Sequence, residues 1–115
     1  MSDEELASIV WLDGDIANPQ TIKSAVEKHK AGAIIHLAAL QVPFCKANPI
    51  LGAQVNVVGT TNVLEAAREN GIKRLAYASS IAAHGVFNPD TVSTLYGAYK
   101  FCNEETAKVY MQDWG

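Results

Sequence analysis

Hydrophobic positions along this chain alternate between short unbroken runs and stretches of helical period, and that alternation predicts its elements. Ser8-Ile9-Val10-Trp11-Leu12 is a β-rich apolar run that stops at the turn signal Asp13-Gly14-Asp15, so a strand is expected over 8–12. Asn18 can cap the next helix with Pro19 at its first position, and Ile22, Ala25 and Val26 repeat at helical spacing as far as about Lys30. Ala33-Ile34-Ile35-His36-Leu37-Ala38 is nearly all apolar, the pattern of a strand buried on both faces of a parallel sheet. A loop containing Pro43 and Pro49 leads into a long helix over 50–69, with Val55, Val58, Asn62 and Ala66 on one side. Asn70-Gly71 supplies its left-handed stop. A third strand is expected over 72–79, then a loop through Gly85 and Pro89, then a last helix over 95–112.

The expected order is therefore β-α-β-α-β-α, an α/β fold: part of a doubly wound parallel sheet with helices on both faces and right-handed connections. Ligands of such sheets sit outside the carboxyl ends of the strands. In this chain those ends are Asp13-Gly14-Asp15, His36-Leu37-Ala38-Ala39 and Ser79-Ser80. Small and polar residues collect where such a fold binds its ligand.

Composition narrows the partners. The 115 residues are 49% hydrophobic and 18% charged, apolar enough for a core and too apolar for disorder. A net charge of −3 and a sequence pI near 5.5 argue against a nucleic-acid or anionic-membrane binder, which needs a basic footprint. No apolar run reaches the roughly 18 residues of a membrane-spanning helix, and the acidic opening Met1-Ser2-Asp3-Glu4-Glu5 does not read as a signal peptide. Cys45 and Cys102 suit free thiols in a reducing cytoplasm better than a disulfide framework, and His29, His36 and His84 share no ligand spacing, so no metal site is expected.

Tyr96-Gly97-Ala98-Tyr99-Lys100 puts Tyr96 and Lys100 at i and i+4, on one face of the last helix. A lysine ammonium held near a phenol stabilises the phenolate and so suits it to proton transfer near neutrality. Such a pair also arises by chance, with Tyr96 packed on the sheet and Lys100 paired to Glu104 on the solvent side. What favours chemistry is context: Ser79-Ser80 closes the preceding strand, so a hydroxyl and the phenol can converge on one substrate oxygen.

Four segments carry a resemblance. Gly14-Asp15-Ile16, His36-Leu37-Ala38-Ala39, Asn56-Val57-Val58-Gly59-Thr60-Thr61-Asn62-Val63-Leu64-Glu65-Ala66-Ala67, and Ser79-Ser80 with Gly85 followed by Tyr96-Gly97-Ala98-Tyr99-Lys100 resemble, in order and spacing, the extended short-chain dehydrogenase/reductase family. This is the group of NAD-dependent sugar epimerases, dehydratases and dehydrogenases. The resemblance implies that Tyr96 is the general acid or base as hydride passes to or from a nicotinamide. It implies that Lys100 assists Tyr96 and bonds the nicotinamide ribose, and that Ser80, five positions before Gly85, holds the substrate oxygen. Asp15 and Ile16 would lie along the adenine, Leu37, Ala38 and Ala39 would let the cofactor approach closely, and Asn56 would be structural or near the cofactor. Plainer roles remain for Asp15 as a turn residue and for Ala38-Ala39 as packing. His36 reads as the partner of a backbone group, and Cys45 as a bystander with no helix N-terminus or cation beside it.

Departures from the family pattern shape what is expected of the chain. It contains no glycine-rich phosphate turn, no residue selecting NAD or NADP after a second strand (NAD is favoured), and no substrate lobe. It therefore reads as the central and C-terminal part, over 1–115, of an NAD(P)-binding Rossmann-type domain, inactive alone. Ile81 and Ala82 stand where 4,6-dehydratases carry an acidic pair, His84 where tyrosine is usual, and Tyr99 where serine precedes the lysine. Dehydratase chemistry drops out, leaving an epimerase or dehydrogenase of a sugar nucleotide or sugar acid, cytoplasmic and homodimeric in the parent enzyme. A second reading makes the chain a non-catalytic remnant that associates through the helices over 50–69 and 95–112.

Overall fold

A computed structural model describes residues 2–115. Its first element is a helix, α1 (Asp3–Ala7), and not the strand expected over 8–12. The Ser2 hydroxyl accepts from Glu5 N while the Glu5 carboxylate accepts from Ser2 N, a reciprocal cap that nucleates the turn, with Asp3, Glu4 and Glu5 favouring its positive end. Val10, Trp11 and Leu12 follow without regular structure and stand 64, 76 and 54% exposed. A strand needs a ladder and a covering layer, and these residues have neither.

Helix α2 (Pro19–His29) starts where the sequence predicts, with the Asn18 side chain accepting from Gln20 N and Pro19 at the first turn. Strand β1 (Ile34–His36) follows, and then α3 (Val42–Ala47) inside the segment read as a loop. The long helix over 50–69 is present as three joined pieces: α4 (Pro49–Ala53), a π-helical turn (Gln54–Val58) and α5 (Gly59–Glu69). It stops at Gly71, whose φ of 65° is the left-handed conformation predicted there. Strand β2 (Leu75–Tyr77), a 3-10 helix (Ile81–Val86) within the expected loop, and α6 (Leu95–Trp114) complete the chain.

The sheet of the described residues has two parallel strands, not three, with Ile34 opposite Leu75, Ile35 opposite Ala76 and His36 opposite Tyr77. Ladder bonds continue one step past each end, from Ile34 N to Arg74 O and from Ala78 N to His36 O. Only one face is covered, which corrects the expectation of helices on both. His36 points under α5 and is buried, whereas its neighbour Ile35 is 76% exposed beside an exposed Ala76. Alternating side chains point to opposite faces, so one row is packed and the other bare.

The core lies where α5 meets α2, β1 and α6. Val26, Val63, Leu64, Ala66 and Ala67 fill it. Ile16 seats directly on Gly59, where a Cβ would fall 2.8 Å from Ile16 Cγ2, and Asn62 Nδ2 donates to Ile16 O at 2.9 Å. Those two contacts hold the turn at 13–16 against the start of α5.

Candidate functional site

The site is built by seating α6 on the segment after β2. Thr94 caps α6, its hydroxyl accepting from Gly97 N, and the first turn of the helix presses onto the 3-10 helix. A Cβ on Gly97 would lie 2.3 Å from the Ala82 carbonyl oxygen, so only glycine permits this approach. The Ser80 hydroxyl caps the 3-10 helix by accepting from Ala82 N at 3.2 Å. Four residues down α6 from Tyr96, Lys100 Nζ donates to Ala78 O at 2.5 Å. Helix α6 thus touches the backbone two residues before Ser80 and two residues after it, and Ser80 is held between those contacts.

Tyr96 is 8% and Lys100 5% exposed, and Lys100 Nζ lies 5.7 Å from the centre of the Tyr96 ring. Burial pushes the Lys100 ammonium below the ordinary amine range. A pairing of Lys100 with Glu104 does not form. Glu104 takes the Ser79 hydroxyl, while Lys100 turns inward to the end of β2. Lys100 and the first turn of α6, which carries Tyr96, therefore lie against the chain on either side of Ser80, just beyond the end of β2.

Residues at the end of β1 divide between two environments. Ile16, Leu37 and Ala38 border one hollow of about 340 Å³, together with His36 and Val63. Leu37 is 70% exposed and Ala38 is exposed, so the strand end offers a small apolar surface open to a ligand. Asp15 stands beside it as a turn residue: its carboxylate accepts from Ala17 N at 2.9 Å and its carbonyl from Asn18 N. Ala39 is half-buried and lies outside the hollow.

Asn56 belongs to the interior. It is 1% exposed and bonds the backbone of Leu40 in both directions, accepting from Leu40 N at 2.7 Å and donating to Leu40 O at 2.8 Å. It sits in the π turn, where one extra residue per turn re-aims a side chain. Cys45, fully buried within α3, donates to Leu40 O and accepts from Asn56 Nδ2, and burial pushes its thiol above the usual range against that second bond. A buried thiol so shifted is a poor nucleophile. His36 meets a side chain and not a backbone group: Nε2 lies 3.0 Å from the Thr60 hydroxyl. Burial, then the nearby Lys100, holds this imidazole below its usual range.

Thr60 and Asn103 were not singled out in the sequence. Asn103 Nδ2 donates to both Asn56 O and Thr60 Oγ1, and the Thr60 hydroxyl donates to Asn56 O. A polar residue four positions after Asn56 on an otherwise apolar face was the signal available. Tyr99 Oη donates to Pro49 O at 2.9 Å, tying α6 to the start of α4. Of the residues that depart from the family pattern, Ile81 is 85% exposed and His84 is exposed, whereas Ala82 and Tyr99 are half-buried. No group of three or more His, Cys, Asp or Glu that could hold a metal lies among the described residues.

Against known proteins, the family described as "NAD dependent epimerase/dehydratase family" matches residues 2–115. The chain is 33% identical over 115 residues to uronate dehydrogenase of Pseudomonas syringae pv. tomato, covering 88% of this chain and 38% of that protein. It is 32% identical over 110 residues to UDP-glucuronate 4-epimerase of Thermodesulfobacterium geofontis, covering 88% of this chain and 34% of that protein. Among solved structures, L-threonine dehydrogenase of Clostridium difficile superposes with a TM-score of 0.83 at 29% identity, over 94% of this chain and 36% of that one. The chain thus spans about a third of the length of the relatives it matches.

Proposed function

Because the chain belongs to the NAD-dependent epimerase/dehydratase family, we propose that it forms the proton-handling part of an NAD(P)-dependent oxidoreductase or epimerase acting on a sugar nucleotide or sugar acid. The observation that carries this reading is the seat of α6, which brings Tyr96 and Lys100 to the strand end that bears Ser80. The bound nicotinamide would supply the hydride acceptor or donor. The chain's own residues handle the proton and the geometry. The Ser80 hydroxyl, already capping the 3-10 helix through its oxygen, keeps its proton to donate to a substrate oxygen. Tyr96 Oη takes the proton of a substrate hydroxyl, or returns it to a carbonyl. Lys100, a buried cation 5.7 Å from the Tyr96 ring, favours the phenolate during that transfer and also presents N–H donors to a ribose.

What the chain offers a dinucleotide is one side of a site. The hollow bordered by Ile16, Leu37 and Ala38 suits the flat, apolar face of an adenosine, with Asp15 at its rim for an amino group. Ala39 continues the small-residue tract, and Asn56 supports the tract from behind by holding Leu40. Leu37 and Ala38 are small or outward enough for close approach. The 115 residues contain no glycine-rich turn to cradle a pyrophosphate, and in this proposal they serve as the central and C-terminal part of a Rossmann-type domain. NAD is favoured over NADP by the family's description alone.

The substrate class rests on relatives that act on uronates and UDP-sugars by name; a cytoplasmic, homodimeric parent enzyme is part of the proposal. Similarity to an L-threonine dehydrogenase favours a second reading, in which a small amino acid alcohol takes the sugar's place on the same three residues. Both depend on Tyr96. In a full-length protein containing this segment, Tyr96→Phe removes one oxygen with little change of shape and is expected to lower turnover by about 10²–10⁴. Unchanged steady-state turnover on a uronate, a UDP-sugar or threonine would remove the mechanism.

A further inference from the structure

We infer that His36 is a positioning residue: as a neutral imidazole with its proton on Nε2, it fixes the register of α6 through Thr60 and Asn103, and so keeps Lys100 seated on Ala78. The inference rests on the role proposed for Lys100 as a site residue.

The protonation follows from donor accounting. Thr60 has one hydroxyl proton, and it goes to Asn56 O at 2.8 Å. Asn103 Nδ2 fills one acceptor position of the same hydroxyl at 3.1 Å and sends its other proton to Asn56 O at 2.9 Å. With that proton on Asn56 O, what remains on Thr60 is an acceptor, and we assign the donor role to His36 Nε2 at 3.0 Å. All of these side chains are enclosed, with His36 7%, Thr60 3%, Asn103 2% and Asn56 1% exposed. No buried side-chain nitrogen or oxygen among the described residues lacks a partner. Satisfied buried networks of this kind fix one arrangement, because any slip strands a polar group away from water.

The network closes on itself. From α6, Lys100 bonds Ala78 O, and Ala78 N bonds His36 O across the ladder. The His36 side chain bonds Thr60, and Thr60 bonds Asn103, three residues after Lys100 on the same helix face. The ring therefore runs α6, β2, β1, α5 and back to α6. Sliding α6 by one turn would break the contacts at Lys100 and at Asn103 together. Charge enters the same way: Lys100 is the cation that faces His36, so the imidazole is held neutral by its enclosure and by the residue it positions.

The test is nuclear magnetic resonance on the 115-residue chain, with no cofactor or substrate present. Long-range proton–nitrogen correlation should show His36 as the Nε2–H tautomer at neutral pH. Titration of the Lys100 ε-methylene should give a midpoint below that of the exposed lysines. His36→Leu should move that midpoint toward the exposed lysines, and His36→Gln, whose amide can still donate to Thr60, should restore it. A merely structural role would leave Lys100 alike in the two variants. Should His36→Leu fail to fold, Thr60→Val against Thr60→Ser makes the same comparison. The Nδ1–H tautomer in the wild-type chain, averaged or random-coil His36 signals, or an unmoved Lys100 in folded His36→Leu or Thr60→Val would each overturn the inference. Since no turnover is measured, failure here leaves the role of Tyr96 standing, and an active Tyr96→Phe enzyme leaves the seat standing.

Discussion

Asn56 shows how one side chain can matter to a site it does not enter. Its amide serves both the N–H and the carbonyl of Leu40, fixing the chain just beyond the Leu37-Ala38-Ala39 tract. Replacing it by alanine leaves both groups without their partner in a partly enclosed place. Asn56→Ala should lower stability by on the order of 2 kcal/mol, read as an earlier urea midpoint at unchanged slope. A midpoint within error of wild type would mean that water replaces the amide at no cost. At this scale the sequence marked candidates: Tyr96 and Lys100 by their i,i+4 spacing, and Ser80 and the small-residue tract through the family resemblance. Thr60 and Asn103 stayed hidden, because their importance lies in partners 43 residues apart in the chain. The pairing of Lys100 with Glu104, plausible from i,i+4 spacing, lost to a carbonyl that only the fold brings near.

Among the elements, α6 decides whether the site exists, and its docking depends on Gly97. Adding one methyl there places a carbon 2.3 Å from the Ala82 carbonyl, far inside any real contact, against backbone that cannot swing away. Gly97→Ala should therefore destabilise the chain by about 1–3 kcal/mol, the usual cost of overpacking, despite alanine's better helix propensity. Equilibrium urea unfolding measures it, and a stabilised variant would show that α6 is not seated as described. Helix signals were legible along the chain: Asn18-Pro19, Asn70-Gly71 and the apolar period gave α2 and the long helix nearly to the residue. Its π turn was not, since the extra residue answers to where Asn56 must point and not to local propensity. Strand signals misled in one place. Residues 8–12 have strand composition, but a strand is stable only with a partner, and a helix capped by Ser2 and Glu5 forms ahead of them.

Taken whole, the molecule is open. Its radius of gyration is 15.5 Å, where a compact domain of this length would have about 13 Å. Ile35, Leu37, Trp11 and Val10 stand exposed, and the two-stranded sheet keeps one bare face. Exposed apolar surface and unpaired strand edges drive association. Sedimentation velocity should show the weight-average coefficient of the purified chain rising with concentration; a constant monomer value up to about 100 μM would contradict it. A discrete dimer would favour the reading as an association module, and a broad distribution the reading as one part of a longer enzyme. Because the 115 residues contain no glycine-rich turn to cradle a pyrophosphate, calorimetric titration of this chain with NAD or NADP should detect weak binding or none. Micromolar affinity would mean that the pyrophosphate finds donors elsewhere.

The sequence by itself determined α2, the span of the long helix, α6 and the parallel pairing implied by alternating strands and helices, and it marked Ser80, Tyr96 and Lys100 as candidates. The elements follow from local physics: period, caps, stops and residue type. Only the tertiary structure decided that Lys100 turns inward to Ala78, that His36 answers to Thr60, that Gly97 must lack a side chain, and that one face of the sheet stays bare. Each of these depends on which distant backbone or side chain comes within a few ångströms, and a polar group's partner is fixed by the enclosure around it, which no local pattern records.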